Sequence, residues 1–156
     1  MIRFREAARS DVPAVLALLQ DDMLGQSREG SDMALYLAAF DRMQTEGGNT
    51  LIVGEAEDGS VVATYQLTFI SGLSLRAARR AQIESVRVAS RLRGRGIGEA
   101  MFADAKARAK AAGCSLMQLT MNASRTDTHR FYERLGFVAS HTGFKLELDD
   151  VGSTSP

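Results

Sequence analysis

The sequence predicts a single α/β domain with a mixed, mostly antiparallel sheet of about seven strands and about four flanking helices. The length of 156 residues is that of one domain. Three consecutive strand patterns joined by short loops in the middle of the chain indicate antiparallel pairing. A strand, a helix and a strand then follow, which indicates one parallel pair. We expect the domain to occupy residues 1–148 and residues 149–156 to form a frayed tail.

The N-terminal third combines a short strand with two helices. Residues 2–7 alternate in polarity well enough for a strand. Ser10 is placed to cap a helix that has Pro13 in its first turn and runs through about residue 19. Residues 21–30 (DDMLGQSREG) are polar and predict a loop. A second helix is expected over residues 32–45, with two glycines after it.

Strand signals dominate the rest of the chain. The pair Asp58-Gly59 is a strong hairpin signal between strand patterns at 50–56 and 61–70. A glycine-rich turn precedes an alanine-rich helix pattern that stops at Gly113, and another helix pattern stops at Gly136. These two helices are expected over 96–112 and 126–135, and further strands over 81–88, 115–121, 137–139 and 144–148.

The composition argues against several classes of function. The 19 basic and 19 acidic residues cancel, which disfavours a nucleic-acid-binding protein. The single cysteine, Cys114, allows no intramolecular disulfide and fits a reducing compartment. The chain shows no signal-peptide pattern and no membrane-length apolar run, so we expect a cytoplasmic protein. No histidine, cysteine and carboxylate cluster has metal-ligand spacing, so no metal site is predicted.

The segment RLRGRGIGEAMF, residues 91–102, predicts an anion site. Its glycines leave backbone N–H groups accessible, and the start of the following helix adds partial positive charge, which suits a phosphate. It is not a dinucleotide fingerprint, because Glu99 or Met101 stands where that motif needs its last glycine. It also lacks the Gly-Lys-Ser/Thr of a P-loop. What remains is the pattern R-x-x-G-x-G, which begins at Arg93 between a strand and a helix.

This pattern resembles the acetyl-CoA-binding motif of the GNAT N-acetyltransferase superfamily. A second segment, TMNASRTDTHRFYERLGF at 120–137, is similar to the C-terminal part of the site in that family, with an asparagine after a strand and F-Y-E-x-x-G-F in a helix. The two motifs stand in the expected order, and the order of the predicted elements agrees with the fold of the family. The resemblance therefore implies an acetyl-CoA-dependent N-acetyltransferase over nearly the whole chain.

The resemblance also implies which residues hold acetyl-CoA. In this family the backbone from Gly94 to Glu99 surrounds the pyrophosphate, and residues 86–88 pair with the pantetheine arm where two strands splay apart. Either Arg93 or Arg95 would add charge at the phosphate, and Asn122 would bond the arm unless it only forms a turn. The full set implied for the cofactor is Val86, Arg87, Val88, Arg93, Gly94, Arg95, Gly96, Ile97, Gly98, Glu99 and Asn122.

Acetyl transfer to an amine needs a base for the amine and an acid for the leaving sulfur. The resemblance points to Tyr132 as the acid, although Tyr132 and Phe131 could instead only pack their helix on the sheet. Our candidate base is Glu84, whose apolar neighbours at alternate positions of a central strand suggest burial and a raised pKa. The segment around Glu84 is similar to that of glucosamine-phosphate acetyltransferases. Glu84 could also face solvent or pair with Arg87.

The acceptor is the least determined part of the site. In this family the region between the first two helices shapes the acceptor site, which here offers Arg28, Glu29 and Tyr36. The arginines at residues 76–80 could attract an anionic acceptor or only decorate a loop. We expect an amine of a small molecule or an exposed protein amine to attack the thioester directly, with no covalent enzyme intermediate. A backbone amide near residues 86–88 would stabilise the oxyanion.

Two further points follow from the resemblance. A CoA-binding sensor module without turnover is the alternative function, since it would keep the glycine turn but would not need Tyr132 or Glu84. Members of the family often dimerise, so we expect a homodimer.

Overall fold

The computed structural model describes residues 1–21, 29–30 and 32–149. The chain divides into two compact units, Met1–Leu119 and Thr120–Pro156. Arg28 and residues 150–156 of the expected tail lie outside the described residues. The single domain over 1–148 stays a prediction.

In its described residues, the first unit carries one five-stranded sheet, three helices of 9, 14 and 15 residues, and the four-residue helical turn Ser74–Ala77. The strands are β1 (Arg3–Glu6), β2 (Asn49–Glu55), β3 (Val61–Ser71), β4 (Arg79–Val88) and β5 (Leu116–Leu119). The helices are α1 (Val12–Gln20), α2 (Met33–Glu46) and α3 (Ile97–Ala111). In the second unit, α4 spans Thr126–Arg134.

The strands of the sheet lie in chain order, β1-β2-β3-β4-β5. Neighbours from β1 to β4 are antiparallel, and β4 and β5 are parallel. Short connections impose the antiparallel pairs from β2 to β4, and the crossover through α3 returns the chain in the direction that a parallel pair needs. The predicted mixed, mostly antiparallel α/β fold is confirmed.

The number of strands is lower than predicted. The described sheet has five strands where about seven were expected, because residues 137–149 form none. This stretch contains the alternating pattern at 144–148, yet Phe144 and Leu146 are 92% and 85% exposed. Alternation predicts a strand only where one face is buried and a neighbour supplies hydrogen bonds, and this segment has neither.

Local signals set several boundaries as predicted. Asp32 accepts a hydrogen bond from the N–H of Ala34 (3.1 Å) and begins α2. The hairpin between β2 and β3 turns at Gly59, whose φ of +86° favours glycine. Asp58 accepts from the N–H of Ser60 (3.0 Å) and so stabilises the same turn.

The start of α1 differs from the prediction. Ser10 lies inside a 3-10 turn, Arg9–Asp11, and is not the cap of the helix. Asp11 is the residue that makes the polar contacts, since it accepts from the N–H of Ala8 (2.7 Å) and from the guanidinium of Arg5 (2.7 Å). The hydrogen bond from Arg5 lowers the pKa of Asp11, although partial burial opposes this shift. The carboxylate thus ties β1 to the first helix.

The face of the sheet that packs on α3 buries apolar side chains. Tyr65 in β3 reaches this helix, because its hydroxyl donates to Asp104 of α3 (2.6 Å). Leu67 and Ile83 are each 1% exposed, and their positions place them on the same face as Tyr65. Side chains at alternate positions, such as Gln66, therefore lie on the opposite face.

A tight left-handed turn joins β3 to β4. Leu75, Arg76 and Ala77 have φ values of 52°, 61° and 59°, a region that residues other than glycine rarely adopt. The N–H of Ala77 bonds the carbonyl of Leu73 (3.0 Å) and closes the turn. Leu73 and Leu75 project from this tip with 93% and 71% of their surface exposed.

Candidate active site

Strand β4 contains a bulge at Ser85. The φ of Ser85 is +56°, which is rare for a residue other than glycine. The ladder shifts register between Thr64 and Gln66 of β3, where β4 carries one residue more than its partner. A bulge of this kind bends its strand and turns the residues after it relative to those before it.

The pairing of strands β4 and β5 ends next to the bulge. Their parallel ladder runs from Arg80–Leu116 to Ile83–Leu119. Strand β4 itself continues along β3 to Val88. Residues 84–88 therefore extend beyond the ladder with β5, which is where the resemblance implies that strands splay.

The glycine turn connects the end of β4 to α3. Gly94 and Gly96 have φ values of +78° and +80°, so both positions favour glycine. A Cβ built at Gly94 would meet nothing within 4 Å, and one at Gly96 would lie 4.0 Å from Glu99 Oε2, so the surface of the turn is open. The buried Ile97 anchors the first turn of α3. The first N–H groups of this helix have no partner within it and carry the positive end of its dipole.

Charged side chains surround this turn. Arg93 and Arg95 are both exposed, and within the described part of the chain neither side chain makes a hydrogen bond or an ion pair. Glu99 is the acidic residue in the first turn of α3. The two arginines outweigh this one carboxylate, so the charge around the glycines favours an anion.

Asp21, at the end of α1, holds the segment that leads into the glycine turn. Its carboxylate accepts from the N–H of Ser90 (2.9 Å) and from the Ser90 hydroxyl (3.2 Å). Ser90 begins the 3-10 turn Ser90–Leu92. These hydrogen bonds lower the pKa of Asp21, and the charges of Arg93 and Arg91 add to the shift. No sequence signal points to Asp21, because its partner lies 69 residues further along the chain.

The sheet face away from α3 carries a polar strip beside the bulge. It consists of Gln66, Thr68, Gln82, Glu84 and Gln118. Gln66 pairs with Glu84, and Thr68 with Gln82, so these four side chains share a face. Gln118 of β5 donates to Oε1 of Gln82 (2.7 Å). All of these side chains are half-buried except that of Glu84.

The expected burial of Glu84 is wrong. Its side chain is exposed. The apolar neighbours that suggested burial include Ile83, which lies on the α3 face, whereas Glu84 lies on the polar strip. Arg87, the other expected contact of Glu84, donates to the carbonyl of Val86 (2.9 Å). The role of Glu84 as a base stays a prediction and cannot rest on burial.

The second unit contains Asn122 and Tyr132. Oδ1 of Asn122 accepts from the N–H and the hydroxyl of Ser124 (3.0 and 2.6 Å), which is the turn-forming role. Its amide NH₂ group remains as a donor. Tyr132 lies edge-to-face with Phe131 and Phe137, with ring centroids 5.4 and 5.8 Å apart. Tyr132 therefore packs within its unit, and its role as an acid stays a prediction.

The acceptor candidates are only partly described. The Tyr36 hydroxyl donates to Glu29 (2.9 Å) and accepts from the N–H of Gly30 (2.9 Å). Burial raises the pKa of Tyr36, with a smaller contribution from the Glu29 carboxylate. Arg28, the third candidate, lies outside the described residues.

The arginines before β4 do not act as one cluster. Arg79 lies over the ring of Phe69, 5.0 Å from its centroid, and donates to the carbonyl of Ala112 at the end of α3. Arg79 is therefore a structural residue. Arg80 is the next residue along β4, so it lies on the face of the polar strip.

A cavity of about 310 Å³ opens on the other face of the sheet. It lies at the C-terminal end of α3, away from the glycine turn, and so is separate from the candidate site. Its lining consists of Glu6, Thr50, Ile52, Leu67, Phe69, Arg108, Ala111 and Ala112.

None of the helices in the described ranges has the length and apolar character to cross a bilayer.

Comparisons with known proteins identify relatives of the chain. A model of the acetyltransferase (GNAT) family matches residues 13–137. An aminoalkylphosphonate N-acetyltransferase of Salmonella typhimurium (strain LT2) is 40% identical over 67 residues, which cover 43% of this chain and 44% of that protein. The chain thus matches less than half the length of this curated relative.

Solved structures share the fold over nearly the whole chain. A transcriptional regulator from Bacillus halodurans C-125 is 39% identical with a TM-score of 0.89, over 94% of this chain and 99% of that one. Glucosamine-6-phosphate N-acetyltransferase from Arabidopsis thaliana is 23% identical with a TM-score of 0.79, over 96% of this chain and 99% of that one. The second likeness concerns the fold alone.

Proposed function

The chain belongs to the acetyltransferase (GNAT) family, and we propose that it acetylates a primary amine by direct attack of that amine on acetyl-CoA. Members of this family use acetyl-CoA, so the chain is an acetyl-CoA-dependent N-acetyltransferase. The observation that carries the proposal is the open glycine turn at the start of α3, next to the bulged strand.

The glycine turn supports a seat for the pyrophosphate of acetyl-CoA. The left-handed conformations of Gly94 and Gly96 keep side chains away from the backbone of the turn. The amides from Gly94 to Glu99 then form a set of donors at the positive end of the helix. The side chains of Arg93 and Arg95 are exposed and form no ion pair with the residues that the structure describes, so either one is available to a phosphate. The residues fit the group that the family uses.

The bulged part of β4 supports a seat for the rest of the cofactor. Residues 86–88 lie beyond the ladder with β5, where an extended pantetheine arm would add as a strand. A backbone amide in this segment would stabilise the oxyanion that develops on the thioester carbonyl. The Oδ1 atom of Asn122 is used in its turn, so its NH₂ group would be the donor to the same arm.

Two side chains handle the protons. Acetyl-CoA supplies the acetyl group as an activated thioester. The amine nitrogen would bond to the acetyl carbon as the C–S bond breaks. Glu84 would accept a proton from the amine, directly or through water, and Tyr132 would donate one to the departing sulfur. The exposure of Glu84 favours a relay through water. No covalent enzyme intermediate is needed, and Cys114 lies at the far end of α3, where its N–H bonds the carbonyl of Ala109.

The acceptor that we favour is a small molecule with both an amine and an anionic group. The name of the Salmonella relative describes a substrate of this class, an aminoalkylphosphonate. Besides Glu84, the polar strip offers side-chain amides and a hydroxyl to a small polar molecule. Arg80 on the same face offers a positive charge to the anionic group of that molecule. An exposed protein amine is the other acceptor class.

Calorimetric titration with acetyl-CoA tests the cofactor seat. Gly96→Glu places a carboxylate in the amide cradle, and we expect it to abolish binding. The matched control is Gly113→Glu at the other end of α3, because Gly113 has the same φ of +80° and equally open surroundings. The control carries the same backbone strain and should bind as wild type does. Equal losses in both variants, or no binding by wild type, would refute the seat.

An acylation assay tests the acceptor and the alternative function. We expect turnover of 2-aminoethylphosphonate to exceed that of ethylamine, which lacks the anionic group, and that of a lysine peptide. Preference for the peptide would point to a protein amine instead. Acetyl-CoA binding without turnover of any amine would support the CoA-binding sensor. This sensor would also be favoured if both Glu84→Gln and Tyr132→Phe left acetylation unchanged.

A further inference from the structure

We propose that Tyr65 is a positioning residue that sets the spacing between the two ends of the acetyl-CoA site, an inference that rests on the proposed function. Its backbone lies at the bulge in β4, and its hydroxyl is bonded to the helix that begins at the glycine turn. The side chain therefore connects the strand opposite the segment that would hold the thioester to the helix that follows the segment that would hold the pyrophosphate.

The backbone end of Tyr65 lies opposite the bulge. Thr64 and Gln66 make the flanking pairs with β4, so Tyr65 faces the two residues Ser85 and Val86. Tyr65 has no exposed surface and is one of the largest fully buried side chains of the protein. A close-packed ring in this place transmits any change of its position to the bulge, because neighbouring atoms have no room to move independently.

The hydroxyl end of Tyr65 is held by a network. It donates to Oδ2 of Asp104 (2.6 Å), and Nε of Arg108 donates to the same oxygen (2.8 Å). Arg108 also donates to the carbonyl of Phe4 in β1 (3.2 Å). Asp104 lies about two turns into α3, roughly 10 Å from its start at a rise of 1.5 Å per residue. One set of hydrogen bonds thus ties the axial position of α3 to β1 and β3.

The hydroxyl has no evident task other than this bond. Burial and the Asp104 carboxylate raise the pKa of Tyr65 far above neutrality, so the phenol stays protonated and remains a donor. Its burial keeps it from touching a substrate. A phenylalanine of the same shape would fill the space in the core almost as well. The hydrogen bond fixes the position of α3 along its axis relative to β3. We call this position the height of α3, and an apolar contact, which has no preferred direction, would define it less sharply.

This height matters because acetyl-CoA is a single molecule that must reach both seats. Two seats at the correct spacing act together, and the gain from binding both depends on how well the connecting group matches their separation. A shift of α3 along β3 leaves each seat intact but spoils the match. An error of about 1 Å in such a distance is enough to reduce a rate by orders of magnitude.

The test compares the intact cofactor with its fragments in Tyr65→Phe. ADP probes the pyrophosphate seat, S-acetylpantetheine probes the thioester seat, and both are titrated by NMR beside acetyl-CoA. We expect the variant to bind each fragment within about twofold of wild type, but acetyl-CoA about tenfold more weakly, with kcat lowered as well. A general loss of stability would instead weaken fragments and cofactor alike.

The matched control is Thr64→Val. Thr64 is the adjacent residue of β3 and is 1% exposed. The substitution also removes one buried hydrogen bond, which the Thr64 hydroxyl donates to the carbonyl of Ile52 (2.8 Å). This bond does not reach α3. We expect the control to be less stable and yet to keep the wild-type ratio of cofactor to fragment affinity. Equal ratios in both variants, with wild type binding acetyl-CoA, would overturn the role of Tyr65. Failure of wild type to bind acetyl-CoA would instead overturn the proposed function.

Discussion

Asp21 allows a direct test of whether the approach to the glycine turn is preorganised. Its carboxylate receives both the N–H and the hydroxyl of Ser90, at 2.9 and 3.2 Å, just before the residues that would hold pyrophosphate. Asp21→Ala removes both acceptors. Asp21→Asn removes the charge but keeps one oxygen that accepts from the N–H of Ser90, and its NH₂ group can donate to the Ser90 hydroxyl. The two variants therefore separate the hydrogen bonds from the electrostatics.

Two effects of opposite sign determine the outcome. Loss of a capping carboxylate costs about 1 kcal/mol, which corresponds to roughly a fivefold loss of affinity if the turn must be ordered for binding. Removal of the negative charge near Arg91 and Arg93 favours a phosphate, but an exposed pair of charges contributes only about 0.5 kcal/mol. The hydrogen bonds prevail by about 0.5 kcal/mol, so Asp21→Ala should bind acetyl-CoA about twofold more weakly. Asp21→Asn should bind as tightly as wild type or slightly more tightly.

Calorimetric titration with acetyl-CoA at low and high salt measures these affinities. Salt screens the charge effect and leaves the hydrogen bonds, so the deficit of Asp21→Ala should grow as salt is added. The reasoning is refuted if Asp21→Ala binds as tightly as wild type, or if Asp21→Asn is as weak as Asp21→Ala.

Three further predictions concern the fold and the chemistry. Gly54→Ala should lower the free energy of unfolding in urea by about 1–3 kcal/mol, because a Cβ there would lie 2.9 Å from two side chains near the N-terminus. Gly30→Ala, with nothing within 4 Å, should have little effect, and equal losses would contradict this account. Glu84→Gln and Tyr132→Phe should each lower kcat about 100-fold or more while the calorimetric affinity for acetyl-CoA stays constant; a loss of affinity would assign them to binding instead. The pKa of Asp11 is lowered in the fold, so its contribution to stability is complete above the unfolded value of about 3.9 and is lost as pH falls through the folded value. The melting temperature of wild type should therefore fall more steeply below about pH 4 than that of Asp11→Asn, and parallel curves would contradict this role of Asp11.

Features that depend on neighbouring residues were predictable from the sequence. The turn at Gly59, the start of α2 near residue 32 and the glycines before α3 all depend on a few adjacent residues, so the residue types identify them directly. The antiparallel pairing from β2 to β4 and the parallel pair of β4 and β5 also follow from the lengths of the connections.

Features that depend on contacts between distant segments were not predictable. The bulge at Ser85 is a mismatch between two strands, and either strand alone reads as regular. The sequence left open whether Glu84 is buried or exposed, because alternation separates two faces of a strand without telling which one is covered. The bond from Tyr65 to Asp104 joins residues 39 positions apart, and neither residue stands out in the sequence.

The left-handed turn between β3 and β4 has a consequence for local opening of the protein. Each of its three left-handed residues costs about 1–2 kcal/mol relative to the right-handed conformation. The exposed Leu73 and Leu75 bury little surface that would offset this cost. We therefore expect the tip of the hairpin to unzip in fluctuations much smaller than global unfolding, and its amides to exchange hydrogen early. Limited trypsin digestion should cut after Arg76, remote in sequence from the glycine turn, before it cuts after the arginines within β4.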